Sequence, residues 1–309
     1  MKTQIMNGEG GIIDKGDIPI NTEPNRNILI IGSSGTGKTY LGNIIKELYK
    51  PKINIIFKEE KGKEYFKVKN YRPEISDKVN FLNSFKDTLE ISEMGIMGSE
   101  IIPTLKTILE NTGSINELKE RMKEEKNIKK GMLEKEIINY IKEKINSLYP
   151  NIEQKNEYKI IKYNKTNNEN SIISLDNMTE YEQIFFSDYL LRLNYSIIKD
   201  EPIMIDEMHR IKILSNSIIS QIIREIRHKG QFIAISQSLT DLPDHLLNNF
   251  GTIIQFRSLN FSDLEKYRII NKDLPNEIMN LENHEFIEIY DYIHNIKHGR
   301  MRKYKIISD

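Results

Sequence analysis

Residues 32–39 read Gly-Ser-Ser-Gly-Thr-Gly-Lys-Thr, the full G-x-x-x-x-G-K-[ST] pattern of a phosphate-binding loop. Its glycines let backbone N–H groups turn inward around phosphate oxygens, and the helix that follows presents its positive N-terminal end to the same anion. Lys38 would reach the β- and γ-phosphates, and the Thr39 hydroxyl would ligate Mg²⁺. Gly32, Ser33, Ser34, Gly35, Thr36, Gly37, Lys38, Thr39 and Tyr40 are therefore the expected ATP-binding residues. A chance Gly/Ser turn would have the same composition, but it would not require the apolar run before it and the amphipathic segment after it. The pattern by itself does not separate kinases, GTPases, transporters and motors.

A second constellation narrows the chemistry. Residues 202–207 read Pro-Ile-Met-Ile-Asp-Glu, an apolar strand ending in two acids. Asp206 would hold the Mg²⁺ site, and Glu207 would polarise an attacking water as general base. The plainer role for such a pair is a helix N-cap. A Glu directly after the Asp marks nucleotide hydrolases that carry their own water-activating carboxylate, and these place an extra strand between the phosphate-loop strand and the acidic strand. The run Phe232–Ile235 is the candidate for that central strand. It ends in Ser236 and Gln237, where a polar side chain can sense a γ-phosphate or simply cap the strand. Upstream, a helix over Ser217–Lys229 buries a stripe of Ile218, Ile219, Ile222, Ile223 and Ile226. At 100° per residue Arg224 points away from that stripe, Arg227 lies at its flank, and Gly230 ends the helix. Either arginine can be a solvated surface residue, or an arginine finger serving a neighbouring subunit.

The elements that must position these residues are legible as short apolar runs. Core strands are expected at Ile28–Ile31, Ile53–Phe57, Ile172–Leu175, Ile203–Ile205 and Phe232–Ile235, with further candidates at Ile253–Phe256 and Phe286–Tyr290. Continuous rather than alternating hydrophobicity points to a parallel sheet covered on both faces. Leu41, Ile44, Ile45 and Leu48 fall at i, i+3, i+4, i+7, and Pro51 stops that helix. Alternating strands and helices make a doubly wound α/β sheet. Three segments are expected: 1–80 and 171–309 as two parts of one core, and 81–170 as a charged helical insertion between the second and third core strands. The insertion's charge run reads as a solvated helix face, with a DNA or partner contact as the other reading. Tyr163–Asn170 reads as a polar loop returning to the core.

Composition sets the outer bounds. The absence of cysteine removes disulfides and cysteine-ligated zinc or iron–sulfur sites, and fits a reducing, cytoplasmic setting. The first twenty residues lack the basic and apolar regions of a secretory signal, and no run approaches the ~18 apolar residues of a membrane span. Basic and acidic residues balance at 45 each, which argues against a protein that coats nucleic acid with a broad basic face. A motor that touches a few phosphates through a local patch stays compatible with that balance.

The motifs coincide, in order, with those of a known group. The stretches NILIIGSSGTGKTYL (27–41), SIISLDNMTEYEQIFFSDYLLRL (171–193), EPIMIDEMHRI (201–211), IIREIRHKGQFIAISQSLTDLPDHLLNNFGTIIQFR (222–257) and EFIEIYDY (285–292) resemble the HerA/FtsK superfamily of ring-forming DNA translocases, on its HerA-like side. The resemblance implies a RecA-like P-loop NTPase core with a parallel sheet, and a hexameric homo-oligomer with ATP at subunit interfaces. It implies Lys38 and Thr39 on phosphate and metal, Asp206 and Glu207 as the acidic pair, Gln237 as sensor, and Arg224 or Arg227 acting across the interface. His209 stands where members often have a histidine, for which a packing role is expected. The chain departs from the pattern in three places. The residues before Ile28 are too few for the N-terminal β-barrel of HerA-type proteins. The run Phe57–Tyr65 replaces a D-P-x-G-E-Y-like stretch and lacks its Asp. FtsK-type membrane and sequence-reading domains are not recognised. The implied function is an ATP-driven DNA translocase for packaging, transfer or processing, with DNA passing through a ring pore and a nuclease, capsid or transfer apparatus as partner. The alternative is a nucleotide-gated scaffold or assembly ATPase that moves no DNA; a small-molecule kinase fits least, since no acceptor site is evident.

Overall fold

The computed structural model describes residues 3–7, 12–13, 27–57, 71–73, 75–89, 95–128, 131–150, 159–161, 171–176, 178–198, 201–211, 213, 217–226, 230–290 and 300–308. Lys58–Tyr65, Tyr163–Asn170 and Arg227 lie outside these residues. In chain order the elements are β1 (Thr3–Asn7), β2 (Ile12–Ile13), β3 (Ile28–Ile31), α1 (Lys38–Tyr49), β4 (Ile53–Ile56), β5 (Tyr71–Pro73), α2 (Lys78–Thr88), α3 (Gly95–Glu110), α4 (Ile115–Ile128), α5 (Met132–Leu148) and β6 (Lys159–Ile161). They continue as β7 (Ser171–Ser174), α6 (Glu180–Ile198), β8 (Pro202–Ile205), α7 (Ile218–Glu225), β9 (Gln231–Ser236), α8 (Asp244–Leu247), β10 (Thr252–Phe256), α9 (Phe261–Ile270), α10 (Leu274–Met279), β11 (Glu285–Tyr290) and β12 (Arg300–Ser308).

One sheet runs in the order β2-β1-β12-β11-β10-β3-β9-β8-β4-β7. From β7 to β10 every neighbouring pair is parallel, and β9 occupies the expected central place between β3 and β8. This is the α/β, RecA-like P-loop NTPase core expected from the sequence, with helices α2–α5 inserted between β4 and β7. Consecutive side chains of each strand go to opposite faces, so a continuous apolar run feeds two cores. Leu29 and Ile31 join one core with α6 and α7, while Ile28 and Ile30 join the other with Leu41, Ile44 and Ile45 of α1. Leu48, the fourth residue of the predicted stripe, is instead 37% exposed.

Two features go beyond the expected core. The strands β11, β12, β1 and β2 extend the sheet in antiparallel fashion. Among the described residues of β12, Tyr304 and Ile306 are buried while Lys305 between them is half-exposed, the period of 2 that a half-covered strand requires. The insertion, in turn, is fastened to the core. Phe81 of α2 meets Phe185 and Tyr189 of α6 edge-on, with centroids 5.3 and 5.6 Å apart. Arg192 of α6 lies 2.5 Å from Asp87 and 2.7 Å from Asp188, and Ser84 donates to Asp188 at 2.9 Å. Burial raises the Asp188 carboxyl above its usual range, against the pull of Arg192. A small parallel pair, β5 with β6, brackets the insertion in sequence. Among the described residues no helix is long and apolar enough to cross a membrane.

Asn27 fixes the base of this sheet. Its fully buried side chain donates to the carbonyls of Ile223 (2.8 Å) and Asn249 (3.0 Å) and accepts from the N–H of Phe232 (3.0 Å). It therefore ties the start of β3 to α7, to β9 and to the segment before β10. Asn27→Ala leaves three buried backbone groups unpaired and should destabilise the fold by about 3 kcal/mol, read as a lower urea midpoint with an unchanged slope.

Candidate nucleotide site

The phosphate loop leaves β3 through two close approaches that exclude a side chain. A Cβ on Gly32 would meet Phe256 Cβ at 2.5 Å, and one on Gly37 would meet His284 Nδ1 at 2.8 Å. Gly37 also has φ +111, a left-handed conformation that favours glycine. Between these points the loop is cross-braced by Thr36 Oγ1, which donates to the Ser33 carbonyl at 2.8 Å, and by Ser33 N–H, which donates to the Arg257 carbonyl at 2.9 Å. The His284 N–H donates to the Thr36 carbonyl at 2.9 Å. Its ring meets Tyr40 edge-on at 6.0 Å.

Lys38 opens α1 and is buried, with Nζ donating to the Ser33 carbonyl at 2.8 Å. Desolvation lowers its pKa, while the negative charges of Glu207 and then Asp206 oppose that shift. The acids after β8 are thus within electrostatic reach of the loop lysine, as the sequence reading requires. Asp206 is set by its own N–H donating to Ile55 O at 3.0 Å, and its Oδ1 accepts from the Glu207 N–H at 2.9 Å. Glu207 has φ 56 and ψ 46, a left-handed backbone in a residue that is not glycine. Such strain costs on the order of 1–3 kcal/mol and concentrates at working sites. Its carboxylate accepts from Gln237 Nε2 at 3.2 Å and lies 3.1 Å from His209 Nε2. Glu207 and Gln237 therefore meet directly, and His209, expected only to pack, contacts the carboxylate itself.

Behind Gln237 a buried polar knot shapes the turn. Ser236 and the Ser238 N–H both donate to Asp241 Oδ2 (2.7 and 2.9 Å), and Ser238 Oγ donates to Asp263 Oδ1 at 2.6 Å. Asp263 is fully buried, and burial raises its carboxyl pKa against the donors around it. Thr39 and Tyr40 are half-buried at the start of α1, and Ser34 and Gly35 are exposed at the loop tip. Thr39 and Asp206 offer hard oxygen donors of the type Mg²⁺ takes.

Arg224 lies far from the phosphate loop of its own copy. It is exposed, as the helix pattern requires, and its Nε donates to Ser220 O at 3.0 Å along its own helix. The neighbouring Ile223 carbonyl, however, is bonded to Asn27 at the base of β3, so Arg224 lies at the opposite end of the sheet from the loop that leaves the top of β3. At roughly 3.3 Å per strand residue this is well beyond the reach of an arginine toward its own loop. Conversely, Arg257 and His284 were not singled out from the sequence, yet both touch the loop. For Arg257 the contact is through its backbone carbonyl, so its residue type carried no signal. His284 has no local signal, because it reaches Gly37 only through the fold.

No family model matches the chain, and neither does any curated protein. Among solved structures, VirB4 of Thermoanaerobacter pseudethanolicus is similar over 99% of this chain and 96% of that one, with a TM-score of 0.68 at 13% identity. The bacterial conjugative coupling protein TrwB, in its unbound form, is similar over 85% of this chain and 82% of its own, with a TM-score of 0.59 at 13% identity. The plasmid coupling protein TrwB bound to the non-hydrolysable GTP analogue GDPNP gives 0.57 at 14% identity, covering 92% and 86%. At such identities the likeness is one of fold, and it extends over nearly the whole chain.

The loop geometry generates a direct test. Gly37→Ala must strain a left-handed backbone and push against His284, so the phosphate cradle cannot close. The variant should keep the far-UV circular dichroism of the parent and lose nucleotide affinity by about 100-fold or more. Equilibrium binding of a fluorescent ATP analogue measures this.

Proposed function

We propose that this chain hydrolyses ATP and couples the reaction to movement of DNA, working as a homo-oligomeric ring. The observation that carries the reading is the convergence of Lys38, Asp206, Glu207 and Gln237 at the carboxyl ends of three neighbouring strands. In this reading the backbone of residues 32–37 and Lys38 hold the phosphates. Thr39 and Asp206 would hold Mg²⁺, which when bound offsets the charge of the β- and γ-phosphates. Glu207 takes a proton from water, and the water oxygen attacks the γ-phosphorus. The bond from that phosphorus to the bridging oxygen breaks, and ADP departs with the electron pair. Gln237 senses the γ-phosphate, which gives the site a way to distinguish ATP from ADP.

The ring and the DNA follow from two supports. Arg224 faces solvent at the base of the sheet, where it can serve a neighbouring subunit's site but not its own. Arg227, three residues on, is the other candidate finger. The resemblance to HerA/FtsK ATPases supplies the hexamer and the DNA pore, and the structural neighbour TrwB is a plasmid coupling protein, which favours a role in DNA transfer.

Lys38→Ala should lose both ATP binding and turnover. Glu207→Gln should bind ATP as the parent does and hydrolyse it about 10²–10⁴-fold more slowly; normal turnover by this variant would rule out the base assignment. DNA should raise the parent's turnover, and an unresponsive ATPase would point to the scaffold reading.

Complementation tests the finger. Glu207→Gln subunits mixed with Arg224→Ala/Arg227→Ala subunits should regain partial activity, because some interfaces then pair an intact base with an intact arginine. Mixed oligomers verified by native mass spectrometry that stay inactive would exclude an arginine in trans.

A further inference from the structure

Glu207 is gripped at one atom by two side chains of different character. His209 Nε2 lies 3.1 Å from Oε2, and Gln237 Nε2 donates to the same oxygen at 3.2 Å. An ionised carboxylate only accepts, so the imidazole serves Glu207 as a donor in the form that carries a proton on Nε2. Its other ring nitrogen, Nδ1, is buried and has no hydrogen-bond partner among the described residues. Glu207 is therefore the polar anchor of this imidazole, and the imidazole is an anchor of Glu207.

The two donors differ in what holds them. His209 belongs to a single helical turn, Met208–Arg210, whose Met208 is fully buried and whose Arg210 N–H donates back to the Glu207 carbonyl at 2.9 Å. Its position relative to Glu207 is thus set by a few rigid peptide units. Gln237 comes from another strand, and its side chain is exposed. A γ-phosphate that draws the Gln237 amide toward itself competes with Glu207 for its N–H groups.

We propose that His209 is the positioning residue for Glu207. When a γ-phosphate draws Gln237 away, His209 keeps Oε2 and leaves Oε1 aimed to accept the proton of the attacking water. The left-handed backbone at Glu207 turns the chain so that residue 209 can reach back to the carboxylate. The proposal rests on Glu207 being the base of ATP hydrolysis.

The test compares His209→Ala and His209→Gln with the parent and with Glu207→Gln, in steady-state turnover, binding of a fluorescent ATP analogue, and thermal melting. His209→Ala should lower kcat about 10–100-fold, the scale of a misaimed catalytic group. KM, nucleotide affinity and melting should stay within about twofold of the parent, since only transition-state alignment is lost. His209→Gln, whose amide reaches the Nε2 position, should restore kcat to within about threefold of the parent. In the Glu207→Gln background His209→Ala should cost nothing more. A normal kcat for His209→Ala beside an inactive Glu207→Gln overturns the positioning role alone. Normal turnover by Glu207→Gln overturns the base assignment, and the proposal with it. Equal losses in the alanine and glutamine variants, with melting preserved, overturn the donor role. If His209→Ala fails to fold, His209→Gln decides by itself: near-parent turnover upholds the proposal, and inactivity in a folded protein overturns it.

Discussion

A desolvated ammonium governs this site. Lys38 is buried, and burial pushes its pKa down; the carboxylates of Glu207 and Asp206 oppose that shift. A buried cation without anions nearby is too costly to keep, so the acidic strand has to stand within reach of the phosphate loop. It does not stand beside it, because β9 intervenes. Two inter-strand steps amount to about 10 Å, a gap that a long lysine and a γ-phosphate with its attacking water can bridge on the proposed reading. The strand filling that gap leads into Gln237, which is why Gln237 and Glu207 meet there.

Sheet polarity sorts the remaining chemistry. All six strands from β7 to β10 point the same way, so everything that follows a strand gathers at one edge, and everything that precedes one gathers at the other. The loop, Asp206, Gln237 and Arg257 share the first edge. Asn27 and Arg224 share the second. Residues at the second edge are therefore kept away from the phosphate loop of the same copy.

The core was legible because its strands are unbroken apolar runs and because phosphate binding tolerates few alternatives to the glycine pattern. Of the antiparallel extension, β11 was expected as a strand at Phe286–Tyr290, whereas β12, β1 and β2 were not legible. The run Arg300–Ser308 carries four basic residues, Arg300, Arg302, Lys303 and Lys305, and reads as solvent-facing, while its buried positions, Tyr304 and Ile306, gain meaning only beside Phe286. His209 was assigned to packing because sequence order hides that a left-handed Glu207 folds the chain back on itself. The end of the sheet at which Arg224 lies was hidden for a related reason. Helical phase tells which way a side chain points but not which end of the sheet its helix has reached; the Asn27–Ile223 hydrogen bond, which fixes that, joins residues 196 positions apart.

The two additions to the core back different halves of the site. On the phosphate side, His284 donates to Thr36 and accepts from the Ile306 N–H, so the antiparallel extension is hydrogen-bonded to the loop itself. On the side of the acidic strand, Gln183 of α6 donates to the Leu175 carbonyl at 3.0 Å and accepts from Arg210 at 3.3 Å, one residue beyond His209. The same helix α6 carries Phe185, Tyr189 and Arg192, which hold the inserted helices. Packed interiors transmit displacement rather than absorb it. Movement of the loop against the acidic strand would therefore pull on the extension through His284 and on the insertion through Gln183. The phosphate loop and the acidic strand are thus each hydrogen-bonded to a different addition to the core.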